Sequence, residues 1–386
     1  MTQPSAINNK DQRRDLIKIL LSIYFFFTAM GINIVIFPVI LKYNNLSETM
    51  IGFSVIVELL AGIIFAHQIV RLLKSQGVKP FLKAATCLHF GIMMLIGHYL
   101  NFIIWLGFVS LIGVYWYAFS MIKQSWYNTI IPNKNRNFWI SINTMVLCSG
   151  FASGSYIVSL LGSLNLYNFI ISSSFSYLAY YCMSLIKTPL PEIRDDVSHK
   201  VAEYLRAQPL LYFAKFTQEV VSISILSFVV IYAIDVGFAP EQGAILASCY
   251  TLSALLNLFV ARCLDKFCHR RIFLIASMCL SISLIGMFCF QEDFRLLAIL
   301  CFASGFFVSF YYIGCEARVN YFFCKNQRIG ANNSLSFVTN CGGIVGCILT
   351  GFLMYHIGNI GFILPALFGQ IIIILLLLFS NTKSYL

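Results

Sequence analysis

A carboxyl group inside an apolar run is the residue of this sequence most suited to chemistry. Glu58 stands in GFSVIVELLAGIIF, about eight residues into the segment, or roughly 12 Å along a helix axis. An ionised carboxylate in hydrocarbon costs on the order of 2.5 to 3.5 kcal/mol on insertion scales, so Glu58 implies a group that is protonated part of the time or faces a polar cavity. Either suits a proton carrier; the plain alternative is an interhelical hydrogen bond. Ser54, Ala61 and Gly62 share its helix face, small residues suited to a neighbouring helix or a cavity. Lys215 and Glu219 lie four apart and share another face, where they can pair with each other. Lys215 is near enough to an interface to snorkel, and Glu219, one turn deeper, is the stronger candidate of the two.

Other chemistries lack their residues. His67 and His89 show no H-E-x-x-H or comparable ligand spacing, and no G-x-x-x-x-G-K-[ST] loop occurs, so no metal, cofactor or ATP-driven pump is indicated. No cluster of acids, histidines and a nucleophile of the kind a membrane enzyme needs gathers at one interface. Thirteen cysteines without C-x-x-C pairs read as free, buried thiols. Gly31, Asn33 and Pro38 in the first helix can kink it or expose carbonyls to a cavity. Tyr115, Trp116 and Tyr117 in the fourth can line a solute path or pack an interface.

The elements that position these groups are membrane spans. A chain of 386 residues, 59% hydrophobic and 11% charged, cannot bury its apolar side chains and still present a charged surface to water. Apolar stretches of about 20 residues, enough to cross roughly 30 Å, recur along its length. We count twelve, over 16–41, 50–70, 81–99, 102–122, 138–161, 167–186, 211–235, 243–261, 272–290, 295–315, 331–355 and 360–380. The first is too long for a signal peptide and lacks a cleavage site, so it reads as a retained helix. The net charge of +11 reflects topology rather than nucleic-acid binding, because the basic residues cluster on one side. With the N-terminus inside, only Lys42 and Arg295 fall outside, which predicts both termini in the cytoplasm.

A polar stretch from Lys187 to about Gln208 divides six spans from six, giving a first bundle over 1–186, a central loop over 187–210 and a second bundle over 211–386. The halves match without gaps at an offset of 192: QSWYNTIIPNKNR from Gln124 lies over EARVNYFFCKNQR from Glu316, so Asn128 meets Asn320 and Arg136 meets Arg328. Gly150 and Gly154 fall on Gly342 and Gly346, the same small-x-x-x-small spacing in both copies. The fold class is therefore an all-α polytopic membrane protein of two pseudo-symmetric six-helix bundles.

The loop ARCLDKFCHRR, from Ala261 to Arg271, resembles the major facilitator superfamily signature G-x-x-x-D-R-x-G-R-K. Asp265, Lys266, Arg270 and Arg271 fit, while Ala261 and Cys268 replace its glycines. The first-half copy VRLLKSQGVK keeps Gly77 and Lys79 but has Lys74 where the acid belongs. QSWYN followed by NKNR is similar to a little-characterised bacterial branch of that superfamily with E-S-W-L-N and N-R-G-R; Gln124 replaces its acid, which survives only as Glu316.

What the resemblance implies is a secondary transporter in an inner membrane, moving a small-molecule solute by alternating access as a proton symporter. Glu58 and Glu219 are the coupling candidates, with Lys215, Asn33 and Tyr115 beside the solute. Asp265, Lys266, Arg270, Arg271, Gln124, Arg136, Glu316, Arg318 and Arg328 would form a cytoplasmic gate, Asp265 meeting the N-terminus of a helix from the other half. A uniporter or exchanger without protons, a polytopic enzyme and a transporter-like sensor are the other readings.

Overall fold

Each apolar run becomes a helix because, in lipid, only a helix satisfies its own backbone. A computed structural model of the chain describes residues 9–97, 101–131, 136–188, 201–323 and 325–379. The elements are α1 (Asn9–Tyr43), α2 (Glu48–Ile64), α3 (Ala66–Gln76), α4 (Val78–Ile96), α5 (Phe102–Ile130), α6 (Arg136–Leu161), α7 (Tyr167–Ser184) and α8 (Val201–Ala207). The second half supplies α9 (Pro209–Asp235), α10 (Pro240–Leu252), α11 (Asn257–Lys266), α12 (His269–Cys289), α13 (Phe294–Phe322), α14 (Lys325–Ile357) and α15 (Leu364–Phe379). Among the described residues nine helical stretches are long and apolar enough to span a membrane, and ten when α2 and α3 count as one bent span. α15 is a shorter apolar helix, and α7 is an 18-residue helix carrying five serines in its sequence YNFIISSSFSYLAYYCMS.

The 192-residue offset governs the element ends as well as the motif. It carries α5 onto α13 at both termini, the end of α1 onto the end of α9, and the start of α2 onto the start of α10. Caps follow it too: Asn101 accepts from the Ile103 amide at 3.0 Å, and its repeat mate Asp293 accepts from the Arg295 and Leu296 amides at 2.9 and 3.2 Å.

Two expected spans are broken. The second bends by 50° at Phe65, and the eighth is interrupted by the 3-10 turn Ser253–Leu256 at the corresponding place. The first helix, in contrast, runs unbroken through Gly31, Asn33 and Pro38. Gly31 serves packing: a Cβ there would lie 2.3 Å from the Phe151 carbonyl oxygen. Gly150 and Gly154 seat α6 on α1 in the same way, and Gly342 and Gly346 seat α14 on α9. The cysteines among the described residues are free, but Cys301, Cys315 and Cys347 alone are fully buried; Cys87, Cys268 and Cys289 are exposed. Exposed apolar side chains such as Ile103, Leu160, Ile282 and Phe368 form the coat that meets lipid.

Packing differs between the two faces. Toward the face opposite the N-terminal end of α1, one core joins both bundles, with Trp105 and Phe169 in the same cluster as Phe228 and Tyr232. Toward the amino-terminal face the core divides into a cluster confined to the first bundle and another confined to the second. The buried apolar core is thus continuous across the bundles on one side and divided between them on the other, where α11 still rests against α6.

Candidate functional site

The fused face is locked by charge. Lys42, at the end of α1, makes ion pairs with Glu48 at the start of α2 and with Asp235 at the end of α9, the latter at 2.8 Å. Glu241 of α10 accepts from the Ser163 amide and hydroxyl at 3.1 and 3.3 Å. Deeper, the Ser248 hydroxyl donates to the Ala152 carbonyl at 2.9 Å and Thr49 to that of Gly351 at 3.4 Å. These four contacts join the bundles, and all lie toward the fused face.

Below that seal, both bundles contribute charged and polar groups to one central site. Lys123 of α5 is 5% exposed, and its ammonium sits over the Phe27 ring at 4.5 Å. Lys215 of α9 is 3% exposed and sits over Tyr312 of α13 at 3.8 Å. An ammonium on the face of a desolvated ring gains about 2 kcal/mol, which offsets much of its burial cost. Glu316 hydrogen-bonds with Tyr312 and lies within electrostatic reach of both Lys123 and Lys215. Glu219, half-buried, accepts from Gln218 at 3.3 Å and is within reach of Lys215. Gln218 also donates to Ser222 at 3.0 Å, which receives the Tyr250 hydroxyl at 3.1 Å. The buried side-chain carbonyl oxygen of Gln218 has no partner among the described residues.

Glu58 borders this site from α2. Its neighbour Leu59 and the Cγ of Glu219 approach the vacant side-chain position of Gly343 to 3.4 and 3.9 Å, and Cys347 of α14 interacts electrostatically with both carboxylates. Glu58, Glu219 and Glu316 are all partly accessible although they belong to spanning helices, as expected of groups lining an interior path.

Lys215 does not snorkel to an interface; it is held within the bundle by Tyr312. Asn33 and Tyr115 turn into the interior of the first bundle: Asn33 accepts from Ser172 at 2.8 Å, and Tyr115 meets Thr86 at 3.4 Å and the His89 ring at a centroid distance of 4.7 Å. Of the expected gate residues, Asp265 and Arg318 both lie within electrostatic reach of His269 at the start of α12. Asp265, Lys266, Arg271 and Gln124 are exposed, Arg270 donates to the Leu377 carbonyl at 2.9 and 2.6 Å, and Arg318 stacks toward Tyr321. The side chains of Arg136 and Arg328 lie outside the described residues.

Tyr312, Tyr250, Gln218, Phe27 and Lys42 are site or seal residues that spacing alone did not single out. Tyr312 stands one helical turn before Glu316, and Lys42 is one of two cations off the inside-positive pattern. Those signals were available but carried no direction.

Residues 211–385 match a family described as Major Facilitator Superfamily. No curated protein sequence matches the chain. Among solved structures it is similar to the nucleoside transporter NupG, with a TM-score of 0.74 and 12% identity over 94% of this chain and 99% of that one. It is also similar to a bacterial homologue of the human lysosomal transporter Spinster, in inward-facing unoccupied and occupied conformations. Those two have TM-scores of 0.65 and 13% identity, covering 96% and 94% of both chains respectively. At these identities the likeness is one of fold.

Proposed function

We propose that this chain is a secondary transporter of the major facilitator superfamily, carrying a small solute by alternating access. The observation that carries the reading is a charged site, built by both bundles, beneath one sealed face and at the level where the apolar core divides between the bundles. The family match over the second half and the folds of the solved transporters support it. The bundles correspond to residues 1–186 and 211–386, joined by 187–210. The one-sided distribution of Lys and Arg supports placing the amino-terminal face in the cytoplasm of an inner membrane.

Glu58 and Glu219 are the coupling groups in this reading. Glu219 already has Gln218 and Lys215 beside it, which also fits a fixed structural carboxylate; Glu58 has no comparable partner among the described residues and is the better proton carrier. Purified protein screened for thermal stabilisation by metabolites, nucleosides and drugs identifies a solute, since binding stabilises in proportion to affinity. With that solute in proteoliposomes, Glu58→Gln is expected to abolish uphill accumulation and retain counterflow exchange. Unchanged accumulation would remove Glu58 from coupling and favour a uniporter or exchanger.

A further inference from the structure

Polar side chains inside the first bundle have more hydrogen bonds to make than the bundle gives them. Ser172 of α7 donates to the side-chain oxygen of Asn33 at 2.8 Å and to the Ala29 carbonyl at 3.3 Å. One turn further along α7, Ser176 lies beside the hydroxyl of Tyr115 of α5, which meets Thr86 of α4 at 3.4 Å, long for a bond between hydroxyls. His89, one turn on from Thr86, lies against the Tyr115 ring. All of these side chains are buried, and His89 is 1% exposed. The fold does not demand such a column: at the matching places of α9 and α13 the second bundle has Ile225 for Asn33 and Phe307 for Tyr115.

Buried atoms of the column without a partner among the described residues include both ring nitrogens of His89, the side-chain nitrogen of Asn33 and the hydroxyl of Ser173 on the same stretch of α7. A buried polar atom left unpaired loses its hydration without compensation, so several together call for a ligand. What these atoms require identifies its class. A neutral imidazole accepts a hydrogen bond at one ring nitrogen and donates at the other, and the Asn33 amino group donates. A bound cation would suit the acceptor and repel the donors; an anion would do the reverse. No ionised side chain among the described residues lies within electrostatic reach of His89 to balance either. Water donates and accepts at once and carries no charge.

We propose that α1, α4, α5 and α7 enclose a chamber of ordered water, centred on His89 and extending along α7 toward Asn33. Bridging water completes the bonds of His89, Asn33 and Ser173 and lies within reach of the long Tyr115–Thr86 contact. α7 packs on both α1 and α4, and its buried serines supply the polar wall between them. The inference concerns the first bundle alone and stands whether or not the chain carries a solute.

X-ray radiolytic footprinting of the full chain in lipid nanodiscs tests it, because hydroxyl radicals formed from a bound water oxidise the side chains that touch it, however deeply they lie. Tyr232 is the control: it is buried as well, stacks on Phe362 and donates its hydroxyl to the Met287 carbonyl at 2.9 Å, so it needs no water. Oxidation at His89 and Tyr115, located by mass spectrometry, is expected several-fold above that at Tyr232; equal yields overturn the proposal. Thermal unfolding of detergent-purified variants gives an independent reading. His89→Leu removes two unpartnered nitrogens, which in a dry chamber raises the melting temperature, whereas in a chamber of water it strands the bridging molecules and lowers it. His89→Gln keeps a donor and an acceptor and should recover most of that loss. A rise with His89→Leu, or a loss that His89→Gln does not reduce, overturns the water chamber and leaves the transport reading untouched.

Discussion

The carbonyl oxygens of Leu185 and Leu377 occupy the same place in the two bundles, and each ends a helical span that needs a donor. In the first bundle Lys18 of α1 donates to Leu185 at 2.7 Å, while Asp15 accepts from the Lys187 amide and from the Thr188 amide and hydroxyl. In the second, Arg270 from the start of α12 takes over, donating twice to Leu377. The same backbone need is met from different helices. The repeat therefore keeps lengths and backbone positions, whereas the side chains that satisfy them are chosen locally. Gln124 against Glu316 and Tyr115 against Phe307 are the same divergence inside the membrane.

That comparison is broken most sharply at the glycines, where backbone position itself is the shared quantity. A Cβ at Gly154 would lie 2.1 Å from the Thr28 carbonyl oxygen, which cannot move without moving α1. At Gly346 its nearest neighbour is the Ile223 methyl at 2.6 Å, a side chain that can turn, with the Val220 carbonyl oxygen at 3.0 Å. Gly154→Ala should therefore cost about 3 kcal/mol or more and Gly346→Ala nearer to about 1 kcal/mol, read from thermal unfolding of the detergent-purified protein. Equal losses would mean that the two bundles are equally rigid at this contact.

The two helix-end solutions differ by less. Arg270→Met removes charge-assisted bonds to a half-buried carbonyl and should cost about 1.5 to 3 kcal/mol. Lys18→Met should cost about 1 kcal/mol or less, because its side chain is partly exposed and Asp15 keeps its three loop donors. The same unfolding measurement ranks them. The smallest effect on stability is expected for single hydroxyls: Tyr115→Phe should cost about 0.5 to 1.5 kcal/mol and leave solute flux unchanged. Tyr312→Phe should slow flux, since it removes the partner of Glu316. A flux defect in Tyr115→Phe would bring the interior of the first bundle into the solute path.

Much of this organisation was legible in the chain. Spans announce themselves by apolar length, and the ungapped match from Gln124 and Glu316 extends to helix ends and caps because the two copies have the same connection lengths. Helix rotation was not legible. Asn33 and Tyr115 read as site residues, but the close contacts of Gly31, Gly150 and Gly154 help set how α1 meets its neighbours, and both side chains end among serines and Thr86 inside the bundle. Lys215 read as interfacial because its depth, taken without Tyr312, looks shallow. The breaks at Phe65 and Ser253–Leu256 also left no sign, as neither contains proline and only tertiary packing selects them.

Those two breaks have a mechanical consequence. α2 is clasped to the second bundle at Gly52, which faces the Cys347 carbonyl, and at Glu48, which faces Gly351; α10 is clasped to the first through Ser248 and Ala152. α3 and α11 lie beyond the breaks; α3 packs on α4 and α5 of its own bundle, whereas α11 rests against α6 of the first. The second span is thus a crank with its bearing near the sealed face and its arm carried by its own bundle, whereas the arm of the eighth stays seated across the interface, so the two breaks bear load unequally.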